Sequence, residues 1–242
     1  PTLLALAEVL SPSLNGKFIY DDNFLVKNNA YVKDWSSLPK IFTQDIGSGA
    51  DQPYSFYRPL QMITNMVDYS IWGLNVFGYH LSNVIMHILA ALTVYWFITI
   101  LFNNALLSLV AGLLFVVHPM HTEAICYIAG RSDPLSLIFL MLTFIFYIKQ
   151  TRKDSGAQYV MMIASYILAI LARENCMILP LLLLLYHYTF KEKLKWKLFL
   201  PILGRSIRYI ILRVTALKFL IQNLPIHTTA LQRIPGFFAA MT

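Results

Sequence analysis

Apolar and polar positions are arranged in blocks along this chain, not in short alternations. Val76 to Phe102 is 27 residues without a charge, enough at about 1.5 Å per residue to cross a hydrocarbon core of about 30 Å. Asn103-Asn104 interrupts it and Ala105 to Val117 is apolar again, which predicts a helical hairpin. Pro134 to Ile148, Tyr159 to Leu171 and Cys176 to Phe190 are uncharged runs of 13 to 15 residues, lengths that also suit buried helices of a soluble protein. Their flanks decide the matter. Lys149, Arg152 and Lys153 follow the first, and Lys191, Lys193, Lys195 and Lys197 follow the third, so basic loops recur at every second crossing. Leu198 to Leu220 reads as a further span whose Arg205, Arg208, Arg213 and Lys218 must snorkel or face a cavity. The expected fold is all-α, a polytopic integral membrane helical bundle with a long outer loop carrying amphipathic helices.

Composition sharpens this picture. With 57% hydrophobic and 13% charged residues over 242 positions, too little polar surface remains for a water-soluble domain of this size. Disorder, a nucleic-acid-binding tail and a disulfide-stapled module are excluded. The net charge of +7 is topological: residues 149–154, 191–197 and 205–218 carry +2, +3 and +4, and the remainder sums to −2. The basic excess therefore marks inner loops and calls for no nucleic-acid partner. Cys126 and Cys176 define neither a framework nor a metal motif. The alternation sets out four regions: 1–14, the end of a first span (Pro1 to Leu10) entering the outer side; 15–75, an outer loop with interfacial helices; 76–220, the membrane helix bundle; and 221–242, the start of a further outer loop.

That sidedness gathers the chemically capable residues on one face. Asp21 and Asp22 open the outer loop; adjacent carboxylates repel, and one so placed can act as a general base. The bland reading makes Asp22 the cap of a helix from Asn23 to Ala30. His118, His121 and Glu123 follow the hairpin, a set compatible in composition with a divalent metal, but His-Glu-x-x-His is absent and Pro119 breaks the register, so no metal site is assigned. Thr122 or a neighbour is a candidate cap for the next helix. In Gly130-Arg131-Ser132-Asp133-Pro134, Asp133 is a candidate helix cap with Pro134 as first residue, while Arg131 either pairs locally or grips a phosphate through two oxygens. Arg173 and Glu174 read as an ion pair in the next outer turn, and Arg58 as a second anion-binding candidate. His80, Asn83 and His87 share one face of the longest span, which predicts packing against other helices. From Phe56 to Leu74 the pattern predicts an amphipathic helix on the membrane surface.

Taken together, Phe18-Ile19-Tyr20-Asp21-Asp22 with Asn28-Asn29, Phe56-Tyr57-Arg58-Pro59-Leu60, Gly78-Tyr79-His80-Leu81-Ser82-Asn83 with His87, His118-Pro119-Met120-His121-Thr122-Glu123-Ala124, Gly130-Arg131-Ser132-Asp133 and Ala172-Arg173-Glu174-Asn175 resemble a known family. The chain is similar to the membrane part of the transmembrane-and-tetratricopeptide-repeat O-mannosyltransferases and their bacterial relatives, which are GT-C glycosyltransferases. The resemblance runs from about Asn15 to Asn175. It implies a GT-C-like enzyme in the bacterial inner membrane or the endoplasmic reticulum membrane. Such an enzyme moves a sugar, mannose in the best-known members, from a polyprenyl-phosphate carrier to a protein or glycan hydroxyl on the outer or lumenal face. Its acidic pair maps onto Asp21, as base, and Asp22, as orienter. Arg131, Arg58 and Arg173 are then expected on the donor phosphate, and His118, His121, Glu123, Asp133 and Glu174 are expected to shape the site. No cofactor is required, although a divalent metal is compatible. The later spans and the repeats of the family are not in this sequence, which reads as a fragment. A transporter and a noncatalytic scaffold or decayed enzyme are the alternatives, the first expecting a polar path from Lys149 to Asp21, the second histidines that stack only on structural neighbours.

Overall fold

A computed structural model of the chain describes residues 14, 16–52, 54 and 56–215. The expected first-span remnant Pro1 to Leu10, the outer segment 221–242 and the last residues of Leu198 to Leu220 lie outside the described residues. Among the described residues there is no strand. Seven main helices follow in order: α1 (Pro59–Trp72), α2 (Val76–Phe102), α3 (Ala105–Val117), α4 (Ser132–Arg152), α5 (Gly156–Ala172), α6 (Leu179–Phe190) and α7 (Trp196–Thr215). Short turns of helix fill the loop before α1 and the link between α3 and α4.

Among the described residues two stretches are long and apolar enough to cross a membrane, Val76–Phe102 and Ile128–Arg152. A third is available if α3 and the bent Pro119–Cys126 segment, at 53° to it, act as one span. The remaining apolar runs form shorter helices, α5 with 17 residues and α6 with 12. The hairpin is made as its sequence predicts. Asn103 takes a left-handed conformation (φ 50°) that ends α2, and the Asn104 side chain accepts from Leu107 N at 3.0 Å to start α3.

The bundle packs α4 against α5 and α2 against both α3 and α4. Its apolar core is built from Phe144, Tyr147, Ile148, Met162, Tyr166, Ile170, Leu179, Leu183 and Ile202. At 21 residues, α4 holds its two ends about 30 Å apart. At one end the helix termini collect basic groups: Arg152 donates to the Ile100 carbonyl at 2.9 Å, Lys195 to the Thr151 carbonyl, and Lys149 lies over the Trp96 ring. The opposite end carries the loop before α1 and the acidic and arginine residues singled out above. A separate small core of Leu25, Val32, Ile41, Ile46, Met62, Met66 and Ala129 fastens that loop to α1 and to the start of the second long span.

The pattern from Phe56 to Leu74 does form a helix, but turned the other way from a water-surface helix. Gln61, Asn65 and Asp68 are buried, whereas Val67, Ile71 and Trp72 are exposed. Two members of this inward polar stripe, Gln61 and Asp68, find partners in the protein. Gln61 Nε2 donates to the Ala129 carbonyl at 2.9 Å, and Asp68 accepts from Ser82 Oγ at 2.6 Å and from Arg131 Nη1 at 2.6 Å. Gly73 (φ 58°) ends α1, and Gly78 lets the Trp72 ring lie on α2, since a Cβ there would come within 2.1 Å of it.

Arg131 is fully enclosed, and Asp68 nearly so. Removing one member of such a pair strands a charge away from water, at a cost of about 3–5 kcal/mol. Arg131→Ala in the full-length protein is therefore expected to lower the detergent-solubilised melting temperature sharply. The double replacement Asp68→Leu with Arg131→Met should recover most of the loss, and thermal melts of the single and double variants check this.

Candidate functional site

The site begins in a tight turn. Asp22 N donates to the Ile19 carbonyl at 2.9 Å, and the Asp22 carboxylate accepts from Ile19 N at 3.1 Å. Tyr20, between them, is held at φ 43°, a left-handed conformation unusual for a bulky residue, with its ring 80% exposed. The following segment is a five-residue π-helical turn, Asn23–Lys27, and Asp22 makes no side-chain cap on it. The capping expectation is thus corrected. Asp22 is 0% exposed, and its carboxylate reaches across the fold to accept from Ala129 N at 2.8 Å. Burial raises its pKa from the usual carboxylate value, opposed by the backbone donors and by the charge of Arg131. Asn29 is likewise structural: its amide donates to the Phe24 and Ile46 carbonyls, tying the loop together.

Asp21 faces the other way. It lines an open cavity of about 650 Å³ together with Ile19, Tyr20, Thr122, Glu123, Cys126 and Tyr127. Two carboxylates far apart in sequence therefore meet in one space, and among the described residues no Lys, Arg or His lines it. Tyr54 Oη donates to Asp21 Oδ1 at 2.9 Å. Burial and the Asp21 charge push the Tyr54 phenol up to about 12, and the Tyr127 phenol is raised by the same two causes. Thr122 does not cap the helix Thr122–Cys126; its hydroxyl bonds to the Pro119 carbonyl.

Beside this cavity sits a group of crossed ion pairs. Arg58 Nε lies 3.6 Å from Glu174 Oε2, its Nη1 donates to Ser132 Oγ at 3.3 Å, and its guanidinium lies over the Phe56 ring. Arg173 pairs with Asp133. The sequence-neighbour pairing of Arg173 with Glu174 is replaced by pairing across three helix ends. Burial, then the nearby Arg58 charge, lower the Arg173 pKa; Glu174, Cys176 and Glu123 oppose this. Two guanidinium groups close enough to disfavour each other are a place where an added anion is stabilised. Asp133 is not a helix cap: α4 begins at Ser132, and Asp133 stands in its first turn.

Two expectations about cations and imidazoles change. Arg131 pairs neither locally nor with a cavity; it is 0% exposed, bonded to Asp68 and to the Tyr79 carbonyl at 3.3 Å. A guanidinium so enclosed has no face for a phosphate, which leaves Arg58 and Arg173. His118 and His121 do not line the Asp21 cavity. His121 Nδ1 is 2.7 Å from the Phe115 carbonyl, its ring lies 4.2 Å from Phe115 and 5.5 Å from His87, and His118 bonds to Met120 N. These contacts are the stacking on structural neighbours that a scaffold reading expects. His80, Asn83 and His87 are buried on one face of α2; Asn83 donates to the Tyr127 carbonyl at 3.1 Å, and His87 meets Val116 O. Among the described residues, no three His, Cys, Asp or Glu side chains are arranged to hold a metal ion. Tyr54, Tyr127, Tyr20 and Asp68 were not singled out from sequence. Only Asp68 left a signal there, the one charged residue of Pro59–Trp72.

Known proteins of similar sequence place the chain. Protein O-mannosyl-transferase TMTC1 of Homo sapiens is 37% identical over 140 residues, which is 56% of this chain and 16% of that protein. TMTC2 of Homo sapiens is 36% identical over 154 residues, 60% of this chain and 18% of that protein. The chain is related to the TMTC O-mannosyl-transferases. Tmtc1 of Drosophila melanogaster extends the match to 178 residues at 30% identity, 71% of this chain and 20% of the relative. This chain thus spans about a fifth of the length of the TMTC proteins it matches. No family model and no solved structure matches it.

The two adjacent acids of this TMTC relative differ in kind, one braced and one open. Asp22→Asn places an amide N–H against one of two backbone donors, an expected loss of about 1–3 kcal/mol. Asp21→Asn should leave stability within about 0.5 kcal/mol of the parent. Melting curves of the two full-length variants, measured side by side, check the contrast.

Proposed function

We propose that this TMTC-related chain carries the outer or lumenal-face site of a GT-C-type glycosyltransferase in the bacterial inner membrane or the endoplasmic reticulum membrane. The enzyme moves a sugar, mannose by analogy with its relatives' names, from a polyprenyl-phosphate donor to a hydroxyl on a protein or glycan. The observation carrying this reading is that Asp21 and Glu123 share one cavity, at whose edge Glu123 is close enough to influence Arg173. Acid and guanidinium groups are thereby divided into an acceptor side and a donor side.

In the reaction, Asp21 takes the proton of the acceptor hydroxyl as its oxygen bonds to the sugar carbon. The bond from that carbon to the phosphate oxygen breaks, and the electron pair leaves with the phosphate. A single displacement inverts the anomeric centre. The leaving phosphate is already a stable anion and needs cations more than an acid. Arg58 and Arg173 supply them, with Glu174 and Asp133 holding both in place; Asp22 orients the turn. His118 and His121 act at a remove, by packing the helix link that carries Glu123.

A lipid-borne donor needs an apolar approach. A cavity of about 580 Å³ lies between α5 and α7, lined by Ile167, Ile170, Leu171, Pro201, Gly204, Arg205, Arg208, Tyr209 and Leu212. Its Tyr209 is 6.4 Å from the ring of Tyr57, the residue before Arg58. An isoprenoid chain in that groove would bring its phosphate towards the arginine pair. The filled apolar centre of the bundle, with Phe144, Tyr147, Met162 and Tyr166 buried, weighs against a transport path from Lys149 to Asp21.

In the full-length protein, Asp21→Asn is expected to lower sugar transfer by about 10²- to 10⁴-fold while expression and membrane insertion persist. Transfer from a polyprenyl-phosphate sugar to an acceptor peptide measures it, and unchanged turnover rejects Asp21 as base. Arg173→Ala should raise the KM for the lipid-phosphate donor by about 10-fold or more; an unaltered donor dependence removes Arg173 from the donor side.

A further inference from the structure

We propose that Tyr54 is a positioning residue for Asp21, holding its carboxylate at the cavity edge through the Tyr54 Oη to Asp21 Oδ1 hydrogen bond. This rests on the reading of Asp21 as base. Tyr54 is half-buried, and the loop before it is folded to aim its ring. Asp45 Oδ1 accepts from Gly47 N at 2.8 Å and from Tyr54 N at 3.3 Å, which closes the loop on itself. Asn29 Nδ2 holds the Ile46 carbonyl at 3.2 Å, and Ile46 N donates to the Phe56 carbonyl at 3.1 Å, so both strands of the loop are anchored. The ring of Tyr54 lies directly on Gly47, where a Cβ would come within 2.3 Å of it. A phenol fixed by this many contacts can hold a carboxylate in one rotamer; a free carboxylate would turn between several.

The groups around Asp21 make the donor useful. Tyr20, Glu123, Cys126 and Tyr127 share its cavity, Tyr54 bonds it, Asp22 is its chain neighbour, and Arg131 stands behind Asp22. Two nearby acids favour a proton on any one of them, and a hydrogen-bond donor opposes that by stabilising the ionised form. With its proton held to about pH 12, Tyr54 remains a donor wherever the enzyme works. A base must be ionised to act, so its activity falls on the acid side of the pH–rate profile.

The test is the pH dependence of sugar transfer by the full-length protein. Tyr54→Phe keeps the ring and removes the donor; the acid limb should move up by about one pH unit, so that turnover at a pH on that limb falls about 10-fold and recovers at higher pH. Replacing Tyr54 by 3-fluorotyrosine keeps the shape and strengthens the donor, so the limb should move down. Should Tyr54→Phe fail to fold, the fluorotyrosine protein still decides. A limb unmoved in both overturns the proposal, because a purely structural tyrosine would change yield or turnover without displacing it. Asp21→Asn with undiminished transfer is a different result: it removes the base itself, whatever Tyr54 does.

Discussion

One buried ion pair sets the geometry at the functional end of this molecule. Arg131 and Asp68 are joined at 2.6 Å where water does not reach. A charge in such a place is tolerated only with an opposite charge and further hydrogen bonds, here from Ser82 and to the Tyr79 carbonyl. The pair joins the C-terminal half of α1 to the turn that opens the second long span. That turn offers Ala129 N to the Asp22 carboxylate and the Ala129 carbonyl to Gln61. Asp21 is the next residue along, and its place in the cavity follows from how its neighbour is held.

The same physics turns the polar stripe of α1 inward, beside the buried Met62 and Met66. A helix on the surface of a soluble protein buries its apolar face and shows its polar one. Here Gln61, Asn65 and Asp68 face inward, and Val67, Ile71 and Trp72 face outward. Outward apolar residues cost little against lipid, whereas polar residues there would lack partners. The inward polar stripe is then free to organise the loop, and Tyr54, Asn29 and Asp45 extend the hydrogen-bonded framework to the site.

Charge is divided within a small region. The Asp21 cavity is acidic and walled partly by aromatic rings, while Arg58 and Arg173 stand just beyond it with Glu174 and Asp133 between and around them. The crossed pairing matches each guanidinium with one carboxylate, Arg58 with Glu174 and Arg173 with Asp133, and so holds both in place across the helix ends.

The helices and their breaks were legible in the sequence because they depend on local composition. A run of 27 uncharged residues has one economical structure in lipid, and Asn103-Asn104 has the side chains and backbone freedom to turn it back. The acids and arginines that became site candidates were legible for the same reason, as residues counted along a line. What each polar residue does was decided elsewhere. Whether Arg131 grips a phosphate or Asp68, whether Asp22 caps a helix or braces a distant turn, and whether Tyr54 touches Asp21 depend on contacts between segments far apart in sequence. Spacing along the chain carries no record of such distances; only packing, by burying some charges and leaving others open, assigns the partners.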